Sequence, residues 1–195
     1  MENPILNKLG FFGGTFDPVH LGHINVCREL IELKAVDEII LTPAIHAPLK
    51  NDEPKASYIH RLNMLKLAFE NDSAVSIEQL EKSSKSYTID TLEVLQKKYP
   101  DRQIRLIIGS DQAEQFHLWK DYKTILENFK PIVVNRKPNT LEQGWDFIKI
   151  PLMEISSTEI RRRIINNLKI DHLVPPKIVD YIYLHHLYCL NFKDQ

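Results

Sequence analysis

Short apolar runs recur along the chain at LGFF (9–12), EIIL (38–41), AVSIE (74–78), IRLII (104–108), PIVV (131–134) and FIKI (147–150). Each is four or five residues long and β-branched or aromatic in character, as expected of a buried strand. Longer stretches between them carry a helical period: Leu21, Ile24, Leu30 and Ile31; Ile59, Leu62, Leu65 and Phe69; Ile89, Leu92, Leu95 and Tyr99. Strands that alternate with amphipathic helices imply an α/β fold, a doubly wound parallel sheet covered on both faces, because parallel neighbours need long crossovers. Two more helices, over 157–167 and 176–186, close the chain, the second begun by Pro176. The predicted loops are 44–55 and 135–144, where proline, asparagine and charge collect.

In such a sheet, ligands bind beyond the C-terminal strand ends, where loops and helix N-termini converge. The segments there are GGTFDPVHLGH, TPAIHAPLK, GSDQAEQFHLW, NRKP and EISSTEIR, and they hold many of the chain's unusual polar residues. In the first, Gly13 and Gly14 permit positive φ and close approach of a ligand, and Asp17-Pro18 is a helix-start signal. His20 and His23, three apart, add imidazole donors to a helix N-terminus that already favours an anion. Gly22 between them is costly in a helix and suggests that something bulky packs on the backbone there. A capped helix with two surface histidines is the plainer alternative. A metal site would need a further ligand, and only Asp17 lies at a fitting offset in this stretch.

In EISSTEIRRRI, Ser156, Ser157 and Thr158 precede a helix, and Glu159 stands three after Ser156 as a capping box requires. Ile160, Ile164 and Leu168 form the expected buried stripe, with Arg161 beside it. Hydroxyls, free N–H groups and an arginine make a second anion cradle. A well-capped surface helix with solvated arginines fits these residues equally well when they are taken alone. Two such cradles on one sheet suit a ligand with several phosphates in a row, most simply ATP. Neither G-x-G-x-x-G nor G-x-x-x-x-G-K-[ST] is present, which removes the support for a dehydrogenase or a P-loop enzyme.

Composition narrows the partners. With 195 residues, the chain is expected to form one domain with a sizeable core, and 25 Lys+Arg against 26 Asp+Glu give no basic excess for nucleic acid. Cys27 and Cys189 lie far apart in apolar surroundings, which fits a reducing compartment. No apolar run approaches the length of a membrane span, so a soluble, cytoplasmic protein without membrane or nucleic-acid partners is expected.

GGTFDPVHLGH and ISSTEIR resemble the two signature motifs of the bacterial nicotinate mononucleotide adenylyltransferases, a branch of the nucleotidyltransferases with the His-x-Gly-His motif. EIILTPAIHAPLK, KSYTIDTL and LIIGSDQAEQFHLWKDY are similar to further segments of that family, so the resemblance covers nearly the whole chain. It implies a Rossmann-like α/β/α fold over residues 1–195 as a single nucleotidyltransferase domain. It also implies transfer of AMP from ATP to nicotinate mononucleotide, with Mg²⁺ held mainly by substrate phosphates and no metal site of the protein's own. His20, His23 and Arg161 would be catalytic. Gly13, Gly14, Thr15, Phe16, Gly109, Asp111, Arg136, Ile155, Ser156, Ser157 and Thr158 would join them around ATP, with His23 at the α-phosphoryl group. Thr15, Lys50, Tyr87, Thr88 and Trp119 would hold the mononucleotide, although Trp119 also suits a core and Thr88 a helix cap. Leu49 stands where the family usually has histidine beside Lys50, which leaves the role of that loop open, with His46 a candidate to substitute. The alternatives within the superfamily are nicotinamide mononucleotide and phosphopantetheine adenylyltransferases. A class I aminoacyl-tRNA synthetase fragment is disfavoured because KSSKS (82–86) lies mid-chain and there is no basic patch, and a non-catalytic sensor because both cradles are intact. The residues leave open whether the chain forms a homo-oligomer.

Overall fold

The computed structural model describes residues 7–46, 52–80, 87–134, 145–151 and 153–189. Six strands form one all-parallel sheet: β1 (Lys8–Gly14), β2 (Glu38–Pro43), β3 (Val75–Ile77), β4 (Gln103–Gly109), β5 (Ile132–Val134) and β6 (Asp146–Ile148). Each falls on one of the apolar runs, with no end shifted by more than two residues. Their order is β3-β2-β1-β4-β5-β6. The chain therefore winds outward from β1 in one direction, crosses back, and continues from β4 in the other. This reversal opens a crevice between the C-terminal ends of β1 and β4, the usual ligand site of a doubly wound sheet.

Alternation along the strands decides the two layers around the sheet. Phe12, Ile39, Leu41 and Ile107 point to one core, which they share with Ile24, Cys27 and Leu30 of α1 (Leu21–Glu32) and with Met64 and Leu65 of α2 (Tyr58–Ala68). Phe11, Ile40, Leu106 and Ile108 point to the other, built with Ile89, Leu92 and Leu95 of α3 (Thr88–Lys98). Two elements beyond those expected from the pattern add to this second core. They are α4 (Ser110–Glu114), through Ala113, and α5 (Tyr122–Phe129), through Ile125 and Phe129, with a 3₁₀ turn at Phe116–Leu118 between them. Both are short, at five and eight residues, which is why no long helical period announced them. The first core is completed by α6 (Ser157–Ile165) and α7 (Pro176–Leu184).

The expected inward face of α2 needs correction. Ile59 is 55% exposed, whereas Arg61 is 1% exposed, so a cation occupies the buried side of this helix. In α6, Ile160 and Ile164 are buried as expected, but the helix stops at Ile165 and Leu168 lies outside it, 41% exposed. No helix among the described residues is long and apolar enough to cross a membrane.

Candidate active site

The turn after β1 brings its own corrections. Neither Gly13 nor Gly14 is left-handed; the positive φ falls on Phe16, at 49°. A Cβ on Gly14 would stand 2.9 Å from Phe16 Cζ, and one on Gly13 would stand 3.1 Å from Phe11 Cζ. The glycines thus leave room for aromatic rings at the strand end. Asp17 does not begin α1. The N-cap is His20, three residues later, and Asp17 is instead a buried carboxylate. Its Oδ2 accepts the Lys55 N–H at 2.7 Å, and its Oδ1 accepts the Ala56 N–H at 3.0 Å and the Tyr188 hydroxyl at 2.8 Å.

His20 and His23 do share one place. Their rings stack with centroids 3.7 Å apart, and the His20 N–H donates to His23 Nδ1 at 3.3 Å. The Phe16 ring lies edge-on to His23 at 5.0 Å, so an apolar wall backs the pair. His20 is 6% exposed and its Nδ1 is buried with no hydrogen-bond partner. Burial pushes its pKa down to about 4, so at neutral pH this imidazole is uncharged. Gly22 also has a visible reason: a Cβ there would lie 3.0 Å from His20 Nδ1 and 3.1 Å from its Cε1. The bulky group that packs on this backbone is the His20 ring.

The second cradle meets the first. At the start of α6, Ser156 Oγ accepts the Glu159 N–H at 3.2 Å. The reciprocal half of the expected capping box is absent, because the Glu159 carboxylate is gripped by Arg162 at 2.7 Å through two nitrogens. Ser157 Oγ donates to the Pro18 carbonyl at 2.9 Å. Arg161 donates from Nη1 to the Asp17 carbonyl at 2.7 Å and from Nη2 to Thr158 Oγ1 at 3.2 Å. Ile155, half-buried just before the helix, donates its N–H to Met153 O at 2.8 Å. Residues about 140 apart in sequence thereby form one surface at the end of β1.

The other expected residues that are described lie on β4, α3 and the segments beside them. Gly109 ends β4 and its N–H donates to Gln112 Oε1 at 3.2 Å, while exposed Asp111 is the second residue of α4, its Oδ1 only 2.7 Å from where a Gly109 Cβ would sit. Tyr87 is the N-cap of α3 and Thr88 its first residue, so Thr88 is not the cap. Lys120 Nζ lies 5.0 Å from the Tyr87 ring centroid and donates to Asp90 Oδ1 at 2.7 Å. Its neighbour Trp119 is half-buried and packs on Phe116 at 5.0 Å, and Tyr87 and Trp119 both rest against the second core. His46 Nδ1 lies 3.3 Å from Glu53 Oε2. Leu49, Lys50, Arg136 and the KSSKS segment fall outside the described residues.

Arg61 is the residue sequence reasoning missed. From its buried position it donates to the carbonyls of Thr15 at 2.8 Å, Ala44 at 2.6 Å, Ala56 at 3.2 Å and Ile45 at 3.4 Å. Desolvation lowers its pKa and the nearby Asp17 charge opposes that shift. The guanidinium fork suits this task, since it presents five donors in fixed directions. The available signal was a cation directly before Leu62 and four residues before Leu65, on the side of the helix those residues bury.

A cytidylyltransferase-like family model matches residues 11–163. The chain is 37% identical over 190 residues to an Opitutus terrae protein named "Probable nicotinate-nucleotide adenylyltransferase", covering 93% of this chain and 97% of the relative. It is 35% identical over 187 residues to the nicotinate-nucleotide adenylyltransferase of Bacillus subtilis, covering 94% and 99%. Among solved structures, Plasmodium falciparum nicotinic acid mononucleotide adenylyltransferase complexed with NaAD superposes with a TM-score of 0.79 at 23% identity, covering 93% and 97%.

Proposed function

The chain belongs to the cytidylyltransferase-like family, among its nicotinate-nucleotide adenylyltransferases, and on that premise we propose how its crevice joins ATP to nicotinate mononucleotide. The carrying observation is the direct contact of the two cradles, Ser157 Oγ on Pro18 O and Arg161 Nη1 on Asp17 O. Two helix N-termini then face one crevice, as a triphosphate requires.

The enzyme transfers AMP from ATP to the mononucleotide. An oxygen of the mononucleotide phosphate attacks the α-phosphorus of ATP, the bond from that phosphorus to the β-phosphate oxygen breaks, and pyrophosphate leaves with the electron pair. No protein nucleophile takes part; the chain positions two polyanions and stabilises the spread charge. His23, on the exposed side of the stacked pair, meets the developing charge on the α-phosphoryl group, and neutral His20 fixes its partner's ring and contributes a hydrogen bond. Arg161, with Ser156, Ser157, Thr158 and the N–H groups that open α6, holds the β- and γ-phosphates, and Ile155 borders the same end. Gly13, Gly14, Thr15 and Phe16 line the nucleotide, with Gly109 and Asp111 on the adenosine side. Tyr87, Thr88 and Trp119 receive the pyridine ring, and donors for its carboxylate favour the acid over the amide.

Mg²⁺ fits as an ion carried on the ATP phosphates. Among the described residues no group of three or more His, Cys, Asp or Glu side chains could cage a metal, and the Asp17 oxygens are already engaged by Lys55, Ala56 and Tyr188. The whole chain acts as one domain in this reading, and its setting is the cytoplasm.

The test is pyrophosphate release with ATP, Mg²⁺ and either nicotinate or nicotinamide mononucleotide. Turnover is expected with both acceptors at most, and higher with the acid. Silence with both, together with turnover on phosphopantetheine, would overturn the assignment.

A further inference from the structure

The Asp17 carboxylate is 4% exposed, and an ion so buried persists only where donors replace water. Two of those donors are the backbone N–H groups of Lys55 and Ala56. The third is the Tyr188 hydroxyl, which arrives from 171 residues further along the chain. To deliver it, the segment after α7 passes through two left-handed residues, His186 with φ 49° and Tyr188 with φ 64°, a backbone conformation that non-glycine side chains adopt at a cost. Leu187 between them is anchored in the first core. Burial and the Asp17 charge hold the phenol well above the usual tyrosine pKa, so it remains a donor across the working pH range.

Asp17 also touches the phosphate cradle. Its main-chain carbonyl receives Arg161 Nη1 at 2.7 Å, and the same nitrogen stands 3.8 Å from Oδ2. We infer that Tyr188 is a positioning residue for the triphosphate site, holding the Asp17 carboxylate so that Arg161 remains directed at phosphate. The inference rests on the assignment of this crevice to ATP. Without the phenol, Oδ1 keeps only the Ala56 N–H, and the carboxylate draws compensating charge from Arg161. The arginine then moves toward Asp17 and away from the β- and γ-phosphates. The acceptor side, at Tyr87, Thr88 and Trp119, shares none of these bonds.

The experiment compares wild type, Tyr188→Phe, Asp17→Asn and the double variant by steady-state pyrophosphate release, below each variant's melting midpoint as fixed by circular dichroism. Tyr188→Phe is expected to lower kcat/KM for ATP about tenfold and to change KM for nicotinate mononucleotide by less than about twofold. In the Asp17→Asn background, where no charge remains to attract Arg161, adding Tyr188→Phe should cost less than about twofold. Equal losses on both substrates, the same factor in both backgrounds, or wild-type kinetics in Tyr188→Phe would overturn the inference while leaving the enzyme assignment standing. A wild-type chain without turnover in this assay would overturn the assignment, and the inference with it.

Discussion

Replacing Gly22 by alanine separates stability from catalysis at the stacked histidines. Alanine in a helix is worth up to about 0.5–1 kcal/mol over glycine. Against that, the new Cβ would stand 3.0 Å from His20 Nδ1 and 3.1 Å from Cε1, closer than ordinary contact. The His20 ring is also held from the other side, stacked on His23 at 3.7 Å, so it must swing out of register by a few tenths of an ångström. Forcing a side chain off its preferred rotamer costs about 0.5–1.5 kcal/mol. The two effects nearly cancel, and urea denaturation should place Gly22→Ala within about 1 kcal/mol of wild type, a shift of a few degrees in Tm. Turnover has no such compensation. A misplacement of about 1 Å at a reacting group is worth about a hundredfold, so a smaller displacement of His20 and its stacked partner should lower kcat/KM for ATP by about tenfold or more. Pyrophosphate release on the folded variant measures this. Wild-type kinetics at unchanged stability would refute the reasoning, because the histidine pair would then tolerate the displacement. Loss of activity through gross unfolding would refute it equally.

Two further predictions concern buried polar groups. Burial pushes the His20 pKa from 6.5 down to about 4. Between those values the unfolded chain binds a proton that the folded chain does not, so stability is lost as pH falls through this window and is unaffected above it. From about pH 7 to about pH 5 His20 should account for about 2 kcal/mol of lost stability, and His20→Asn should flatten that limb in urea titrations at the two pH values; an unchanged limb would contradict the burial argument. Arg61→Met strips the donor from the Thr15, Ala44 and Ala56 carbonyls, which should cost about 3–5 kcal/mol in urea denaturation, with Arg61→Lys recovering less than half. A loss under about 1 kcal/mol would show that water replaces the guanidinium.

The sequence by itself determined the elements that depend on local pattern. Six short β-branched or aromatic runs became six strands, and the reason is clearest for β1, β2, β4 and β5, which are buried on both faces and so are apolar along most of their length. GGTFDPVHLGH and ISSTEIR were legible as anion cradles and as family signatures, since glycines, hydroxyls and cations at a helix start carry their chemistry locally. Short helices such as α4 offered too few turns for a period to show.

Only the tertiary structure decided the contacts between distant segments. Winding outward from β1 on both sides brings Pro18 against Ser157 and Asp17 against Arg161 and Tyr188, pairings that no neighbouring residue announces. It also reversed the meaning of particular residues. Asp17 looked like a helix start and is the buried anion on which three segments converge; Arg61, outside the apolar pattern of α2, is buried and ties four carbonyls together; Gly22 makes room for an imidazole. The reason is common to all three. A polar group's role is set by the partners that replace its water, and most of those partners lie tens to more than a hundred residues away, the exceptions being Ala56, five before Arg61, and His20, which the turn of the chain places beside Gly22.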